Sequence, residues 1–454
     1  MSIFPDNLFV GQRFAVVGLG KNGLPAAYAL AAMGGSVVAW DDSPGARDGA
    51  TGLTIGDPRE AGGRFDAVVL SPGIPHRLPK PHPIAVWARE AGIPILSDTE
   101  LLFQAVRRAG SAARFVGITG TNGKSTTTAL LAHVLTGAGV RAVAGANLGP
   151  AALSLPLLPD NGVYVLEMSS YMLERLATLR FDVAAMLNLS VDHLDRHGDM
   201  DGYALAKRAV FDRQRLGDLS VIGIDDERSR GMHQRLAMTR KVVTISGVSR
   251  AGVWTENGML LDADGPILRM AGCPTLPGAH NAQNAAAVAA MASFLGVDRA
   301  AIARGLRTYP GLPHRQQLVG RVDGVSYIND SKATNADAAQ RALVCYDRLI
   351  WIAGGMAKED GIIPLVPLFP RIAHAMLIGR DTPILAATLR EHGVPFIEAG
   401  TLENAVKLAA RAAHDDKADV VLLSPACASW DQFTGYDQRG DRFAELVRDM
   451  EGAR

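Results

Sequence analysis

The chain has 454 residues, 46 basic and 46 acidic side chains, a formal charge of zero at neutral pH, and 48% hydrophobic residues. That length is too great for one ordinary core and predicts two to four domains. The even charge excludes the basic excess of a dedicated nucleic-acid binder, and no apolar run is long enough to span a membrane, so neither kind of partner is expected. No leader-like segment opens the sequence, and Cys273, Cys345 and Cys427 are odd in number and widely spaced. Reduced thiols in a cytoplasm fit that pattern, most simply as small buried hydrophobes.

Taken in chain order, apolar runs at 14–17, 37–40 and 66–70 alternate with helical stretches, the last run stopped by Ser71-Pro72-Gly73. This alternation predicts a parallel sheet with helices on its faces over 1–108. Gly18-Leu19-Gly20-Lys21-Asn22-Gly23 follows the first strand, and Asp41 ends the second, which is the spacing of a dinucleotide fingerprint. Alone it points to a nicotinamide-dependent dehydrogenase. The loop physics, however, specifies only a pyrophosphate on a helix N-terminus and a carboxylate for a ribose hydroxyl, which any nucleotide diphosphate satisfies.

The second segment, 109–308, opens on Gly117-Ile118-Thr119-Gly120-Thr121-Asn122-Gly123-Lys124-Ser125-Thr126. Its glycines let backbone N–H groups curl into a nest for phosphate oxygens, Lys124 reaches the outer phosphates, and the Ser125 hydroxyl is placed for Mg²⁺. Ile118 stands where the usual motif has its first glycine. Leu130, Leu131, Val134 and Leu135 predict the helix that follows, ended by Gly137 and Gly139. A second nucleotide loop makes a simple oxidoreductase a poor reading. A nucleotide-linked substrate at 18–23 and a triphosphate at 117–126 fit together better.

Further along, Glu167 ends an apolar run at 162–166 and precedes Ser169-Ser170. A carboxylate at the C-terminal edge of a parallel sheet is where Mg²⁺ needs one, while a helix-capping turn explains the same residues. Asn188 through Gly198 follows the run 183–187 and is dense in Asp and His. A binuclear metallohydrolase competes here, but no second cluster of that density completes it; a single imidazole helping to hold a second Mg²⁺ fits better. Tyr203 and Lys207 fall one helical turn apart, and Lys207 on sequence alone reads as a solvated surface lysine. Residues 308–313 form a Pro/Gly hinge, after which strands at 349–353 and 420–423 make a third α/β segment, 309–454.

Together these motifs resemble the Mur ligase family, ATP-dependent amide-bond ligases of cell-wall precursor synthesis. The resemblance covers the whole chain. It rests on 117–126, Glu167-Met168-Ser169-Ser170, Asn188 through Gly198, Lys207, Leu276 through Asn284, Gly311 through Arg315, Asn329 through Asn335 and Leu423 through Phe433. Asp330-Ser331-Lys332-Ala333-Thr334-Asn335 and Ser71-Pro72-Gly73-Ile74 look like the D-glutamate-adding branch; a folylpolyglutamate synthetase, which shares the central domain, fits them poorly.

The resemblance implies three α/β domains: N-terminal Rossmann-like, central P-loop ATPase-like and C-terminal Rossmann-like. It implies a monomer that takes UDP-N-acetylmuramoyl-L-alanine, D-glutamate and ATP, with two Mg²⁺. Lys124, Glu167, His193 and Lys207 are implied as catalytic. Ser125 and Glu167 are implied for one Mg²⁺, and His193 with a carbamylated Lys207 for the other. ATP falls to Gly120, Thr121, Asn122, Gly123, Lys124, Ser125, Thr126, Asn284, Arg315 and Asp330. The UDP-sugar falls to Gly20, Asn22, Asp41, Ser71, Gly73, Asn147 and His193. Glutamate falls to Lys332, Thr334, Lys358, Ser429 and Tyr436. Two departures stand out: Tyr436 replaces a commoner Phe, and Lys21-Asn22 replaces a commoner pair with Ser or Thr.

Overall fold

The computed structural model describes residues 3–358 and 361–452. The chain folds as an α/β protein with three sheets. The first has five parallel strands in the order Thr54–Ile55, Ser36–Trp40, Arg13–Val17, Ala67–Leu70, Ile95–Leu96. Its central strands are buried along nearly their whole length, as expected where helices cover both faces.

The second sheet has nine strands. Its parallel part runs Val253–Glu256, Val242–Ser246, Leu219–Gly223, Val183–Met186, Arg114–Thr119, Val163–Glu167, Ala142–Ala146, and an antiparallel meander adds Met259–Asp262 and Gly265–Arg269 at one edge. Strand Arg114–Thr119 pairs with Val163–Glu167 on one side and Val183–Met186 on the other. The three therefore deliver the phosphate loop, Glu167 and the 188–198 segment to a single sheet edge. Ligands of open α/β sheets bind outside these carboxyl ends.

Two compact units emerge. One runs to Cys273 and resumes over Ala279–Tyr309, so it holds the first two sheets; the other takes Pro274–Gly278 and everything from Pro310. In the first unit one apolar cluster runs from Phe14 and Val16 through Leu102 and Val106 to Phe115 and Tyr164. Glu100 locks the same region: its carboxylate accepts from the backbone N–H groups of Ala177, Thr178 and Leu179 at 2.8–3.0 Å.

The second unit is a six-stranded sheet in the order Gln317–Val322, Val325–Asn329, Val420–Leu423, Leu349–Gly354, Ile372–Ile378, Phe396–Gly400, antiparallel only at its first pair. Separate apolar clusters cover its two faces, one around Trp351 and Leu377, the other around Ile352 and Phe443. All three cysteines are free thiols, and burial pushes each up, Cys273 to about 11 and Cys345 and Cys427 to about 12. Thiols held that far from ionisation are unreactive.

Candidate functional site

The phosphate loop joins strand Arg114–Thr119 to helix Lys124–Gly137. Gly120 and Gly123 take φ of 151° and 81°, which L side chains avoid, and a β-carbon on Gly123 would collide with Asn284 Oδ1. Asn284 thus packs directly over the loop from helix Gly278–Phe294. Asn188, which opens the 188–198 segment and carries no local signal of a role, braces the loop. Its Oδ1 accepts from Asn122 N at 2.9 Å and its backbone O from Thr121 N at 3.0 Å. Thr121 Oγ1 in turn accepts from Ser190 N at 3.0 Å.

Lys124 and Lys207 converge on one oxygen. Lys124 Nζ donates to Gly120 O at 2.9 Å and Thr121 O at 2.8 Å, and Lys207 Nζ donates to the same Gly120 O at 2.7 Å. Lys207, on helix Met200–Arg208, is 1% exposed, with Nζ 4.6 Å from the Tyr203 ring centroid. The solvated-lysine reading is therefore wrong: tertiary packing turns this face of the helix inward, beneath the loop. Burial, and then the Lys124 charge, hold the Lys207 amine well below its ordinary range, with Asp192 and Glu167 opposing.

Glu167 ends its strand buried, and one oxygen accepts from Asn147 Nδ2 at 2.7 Å. The other, Oε2, is buried with no hydrogen-bond partner. An orphaned carboxylate oxygen is costly unless a cation or its hydrated shell meets it. Ser125 is buried in the first turn of the adjoining helix. Among the described residues no three His, Cys, Asp or Glu side chains cluster as a metal cage. A thin oxygen set of this kind fits Mg²⁺, which keeps waters and substrate phosphates among its ligands.

His193 takes φ of 53°, a left-handed conformation uncommon for histidine, and its Nε2 lies 3.3 Å from Asp192 Oδ2. Burial holds its imidazole below the usual range, the Lys207 and Lys124 charges adding to the effect. Its ring lies 5.2 Å from Tyr171. The helix-capping reading of the Glu-Ser-Ser turn holds: Ser169 Oγ caps helix Ser170–Leu173 through Met172 N at 3.3 Å.

A cavity of about 550 Å³ opens on the first sheet, and Gly20, Asn22, Asp41, Ser71, Gly73 and Asn147 all line it; His193 does not. β-carbons on Gly20 or Gly73 would meet nothing within 4 Å, whereas one on Gly18 would strike Ser71 and Ile74. The first pair therefore leaves room at the cavity wall; the last permits the close approach of loop and lip. Ser71 Oγ donates to Gly18 O at 2.7 Å. Asp41 is committed to shaping the loop, accepting from Leu19 N at 2.7 Å and Ser43 N at 2.8 Å, with lone pairs left for a ligand. His82, paired with Asp42 at 3.0 Å, also lines the cavity. It escaped sequence reasoning because nothing local distinguishes it. Asn147 both lines this cavity and bonds Glu167, so the two sites of the first unit share a residue.

In the second unit, strand ends at Asn329, Gly354 and Leu423 gather the other candidates. Arg439, 1% exposed and also missed from sequence, ties them: Nε donates to Ser331 Oγ at 2.9 Å, and Nη2 to Ser331 O at 2.9 Å and Cys427 O at 3.2 Å. Ser331 Oγ donates to Tyr436 O at 2.7 Å, and Lys332 Nζ lies 5.7 Å from the Tyr436 ring centroid. Thr334 N bonds Lys332 O at 3.0 Å. Ser429 is 2% exposed, and the Met356–Ala428 bridge runs the chain before exposed Lys358 beside it. Arg315 and Asp330 lie in this unit, not in the one that holds the phosphate loop.

Asp330 is fully buried, accepting from Ser424 Oγ at 2.7 Å and Gln316 N at 3.2 Å, and burial pushes its carboxyl from 3.8 up to about 7. Between those values the folded chain holds a proton that the unfolded chain has released. Its contribution is full below about 4 and is lost as pH rises through about 7. Asp330→Asn, always neutral, is expected to flatten the fall of melting temperature with pH across that window. Each kcal/mol removed from the slope is worth about 2–4 °C in a unit of this size. Thermal melts of both proteins from pH 4 to pH 8 check it; parallel curves would refute it.

Two family descriptions match the chain: Mur ligase middle domain over residues 118–292 and Mur ligase, glutamate ligase domain, over residues 314–427. A curated UDP-N-acetylmuramoylalanine–D-glutamate ligase of Paramagnetospirillum magneticum is 51% identical over 449 residues, 97% of each chain. The chain belongs to the Mur ligase family. A second relative of the same name, from Rhodospirillum rubrum, is 48% identical over 99% of this chain and 97% of its own. Among solved structures, the Mur ligase UDP-N-acetylmuramate-alanine ligase of Thermotoga maritima aligns with a TM-score of 0.59 at 19% identity, covering 96% of this chain and 99% of that one, which shows the shared fold. Mur ligases are ATP-dependent, in keeping with the glycine-framed loop and its two lysines.

Proposed function

We propose that this protein joins D-glutamate to UDP-N-acetylmuramoyl-L-alanine at the expense of ATP, a step of peptidoglycan precursor synthesis. The carrying observation is identity of 43–51% over essentially the full chain to ligases of that name. The two units are assigned as three functional segments: 1–108 for the UDP-sugar, 109–308 for ATP and 309–454 for the amino acid. The protein works as a cytoplasmic monomer; no helix among the described residues is long and apolar enough to cross a membrane.

In this reading the 550 Å³ cavity holds the nucleotide-sugar, with the pyrophosphate against the loop at Gly18–Gly23. The alanyl carboxylate attacks the γ-phosphorus, ADP leaves, and an acyl phosphate forms. This activation is needed because a free carboxylate is a poor electrophile. The glutamate amine then attacks the acyl carbon, loses a proton, and phosphate departs as the amide closes. Lys124 moves from its loop carbonyls to the outer phosphate oxygens and follows charge as it transfers. Ser125 and Glu167 would hold one Mg²⁺, and His193 with a carbamylated Lys207 another; bound there, the ions would supply charge neutralisation for phosphoryl transfer. Lys332 and Lys358 suit a substrate with two carboxylates, with Thr334, Ser429 and Tyr436 beside them.

Phosphate release from ATP with UDP-N-acetylmuramoyl-L-alanine, measured against amino acids of both hands, is expected to respond to D-glutamate alone. In the same assay Lys332→Ala or Lys358→Ala is expected to raise KM for glutamate by about ten- to a hundredfold, the loss of one charge-assisted contact worth about 1.5–3 kcal/mol, with KM for ATP little changed. Preference for another amino acid would assign the chain to a sibling reaction.

A further inference from the structure

Arg175 belongs to none of the motifs, yet it is among the most heavily engaged side chains of the first unit. It lies just past helix Ser170–Leu173 and is 2% exposed. Nη1 donates to Leu70 O at 2.7 Å and Ser71 O at 3.0 Å, Nη2 to Ile74 O at 2.6 Å, and Nε and Nη2 each approach His76 Nδ1 at 3.4 Å. Its own carbonyl accepts from Ser97 N at 3.1 Å.

Burying a guanidinium is expensive unless its donors are met. Here they are met chiefly by main-chain carbonyls of one short segment, 70–76, rather than by a carboxylate. That segment is the lip of the 550 Å³ cavity: Ser71, Gly73 and Ile74 line it, and Ser71 Oγ bonds the glycine loop opposite. Arg175 itself follows Glu167 by eight residues in the turn that leaves the same strand end. One buried fork therefore ties the wall that receives the nucleotide-sugar to the strand end that carries the orphaned carboxylate oxygen. Arg196, from the segment that carries His193, adds a more exposed clasp to Gly73 O at 3.0 Å.

We infer that Arg175 is a positioning residue for the nucleotide-sugar substrate, holding the 70–76 lip so that the sugar-linked carboxylate arrives in register with Glu167. The inference rests on the proposed ligase reaction. An arginine is required because a planar five-donor fork spans three carbonyls, whereas a lysine ammonium of similar reach cannot cover them in one plane.

The test compares wild type, Arg175→Lys and Arg175→Ala in steady-state kinetics with each substrate varied in turn, alongside thermal melting and calorimetric titration with UDP. Arg175→Lys, which keeps the charge and the stem, is expected to raise KM for UDP-N-acetylmuramoyl-L-alanine about tenfold and to weaken UDP binding. KM for ATP and glutamate should stay within about twofold. Arg175→Ala should go further in the same direction; if it fails to fold, the lysine variant decides. An unchanged KM for the nucleotide-sugar in Arg175→Lys overturns the inference, as does a joint loss in all three KM values, kcat and melting temperature. A wild type that binds UDP but turns over no ATP with the nucleotide-sugar overturns instead the ligase reading beneath it.

Discussion

Lys124→Ala is expected to lower turnover about a thousandfold, or about 4 kcal/mol of transition-state stabilisation, while leaving the melting temperature near that of wild type. The residue sits in the first turn of helix Lys124–Gly137, and its ammonium rests on Gly120 O and Thr121 O. Those carbonyls belong to the loop itself, so in the proposed reaction the flexible stem would exchange them for incoming phosphate oxygens. The loop's shape is held by other groups, namely Asn188 against Asn122 N and Thr121 and Asn284 over Gly123. Removing the ammonium therefore deletes charge without deleting the nest. Single-turnover phosphate release together with a thermal melt measures both quantities; a stable variant with ordinary turnover would remove Lys124 from phosphoryl transfer.

Lys207→Ala is expected to retain about one hundredth of wild-type activity or less, and acetate at high concentration is expected to restore part of it. Two ammonium groups cannot share Gly120 O cheaply, and Lys207 is the one whose proton burial, and then the Lys124 charge, make easier to lose. A neutral amine is the form that adds CO₂: the nitrogen bonds to carbon, a proton leaves, and a carbamate anion results. That change converts a repulsion with Lys124 into an attraction and presents oxygens of the kind Mg²⁺ prefers. Intact-mass measurement under non-denaturing conditions is expected to find wild type heavier by one CO₂ and Lys207→Ala not. An active wild type with an unmodified lysine would sink the carbamate reading, and ordinary activity in the alanine variant would sink any role for the side chain.

What the sequence by itself determined here is local. The runs at 14–17, 37–40, 183–187, 349–353 and 420–423 lie on observed strands within a residue or two, because buried parallel strands are short apolar stretches bounded by glycine and proline. The phosphate loop was equally legible: two positive-φ glycines and the lysine after them sit within five residues, and backbone geometry alone makes that a nest. The family resemblance extended this to residues that no spacing singles out, such as Asn147, which lines the cavity of the first unit.

Only the tertiary structure decided how distant groups share a proton, a carbonyl or a cavity. Lys207 reads as a surface lysine until the loop 87 residues earlier closes over it and takes its hydrogen bond. Asp41 reads as a free ribose ligand until Leu19 and Ser43 are each seen to donate to one of its oxygens, so that it shapes the glycine loop while keeping lone pairs for a ligand. Arg175 carries no signal at all, since the carbonyls it binds lie 101 to 105 residues upstream and a carbonyl looks the same in every residue. Periodicity records which face of an element is apolar; it does not record which buried charge meets which backbone oxygen, because that is set by how separate elements pack.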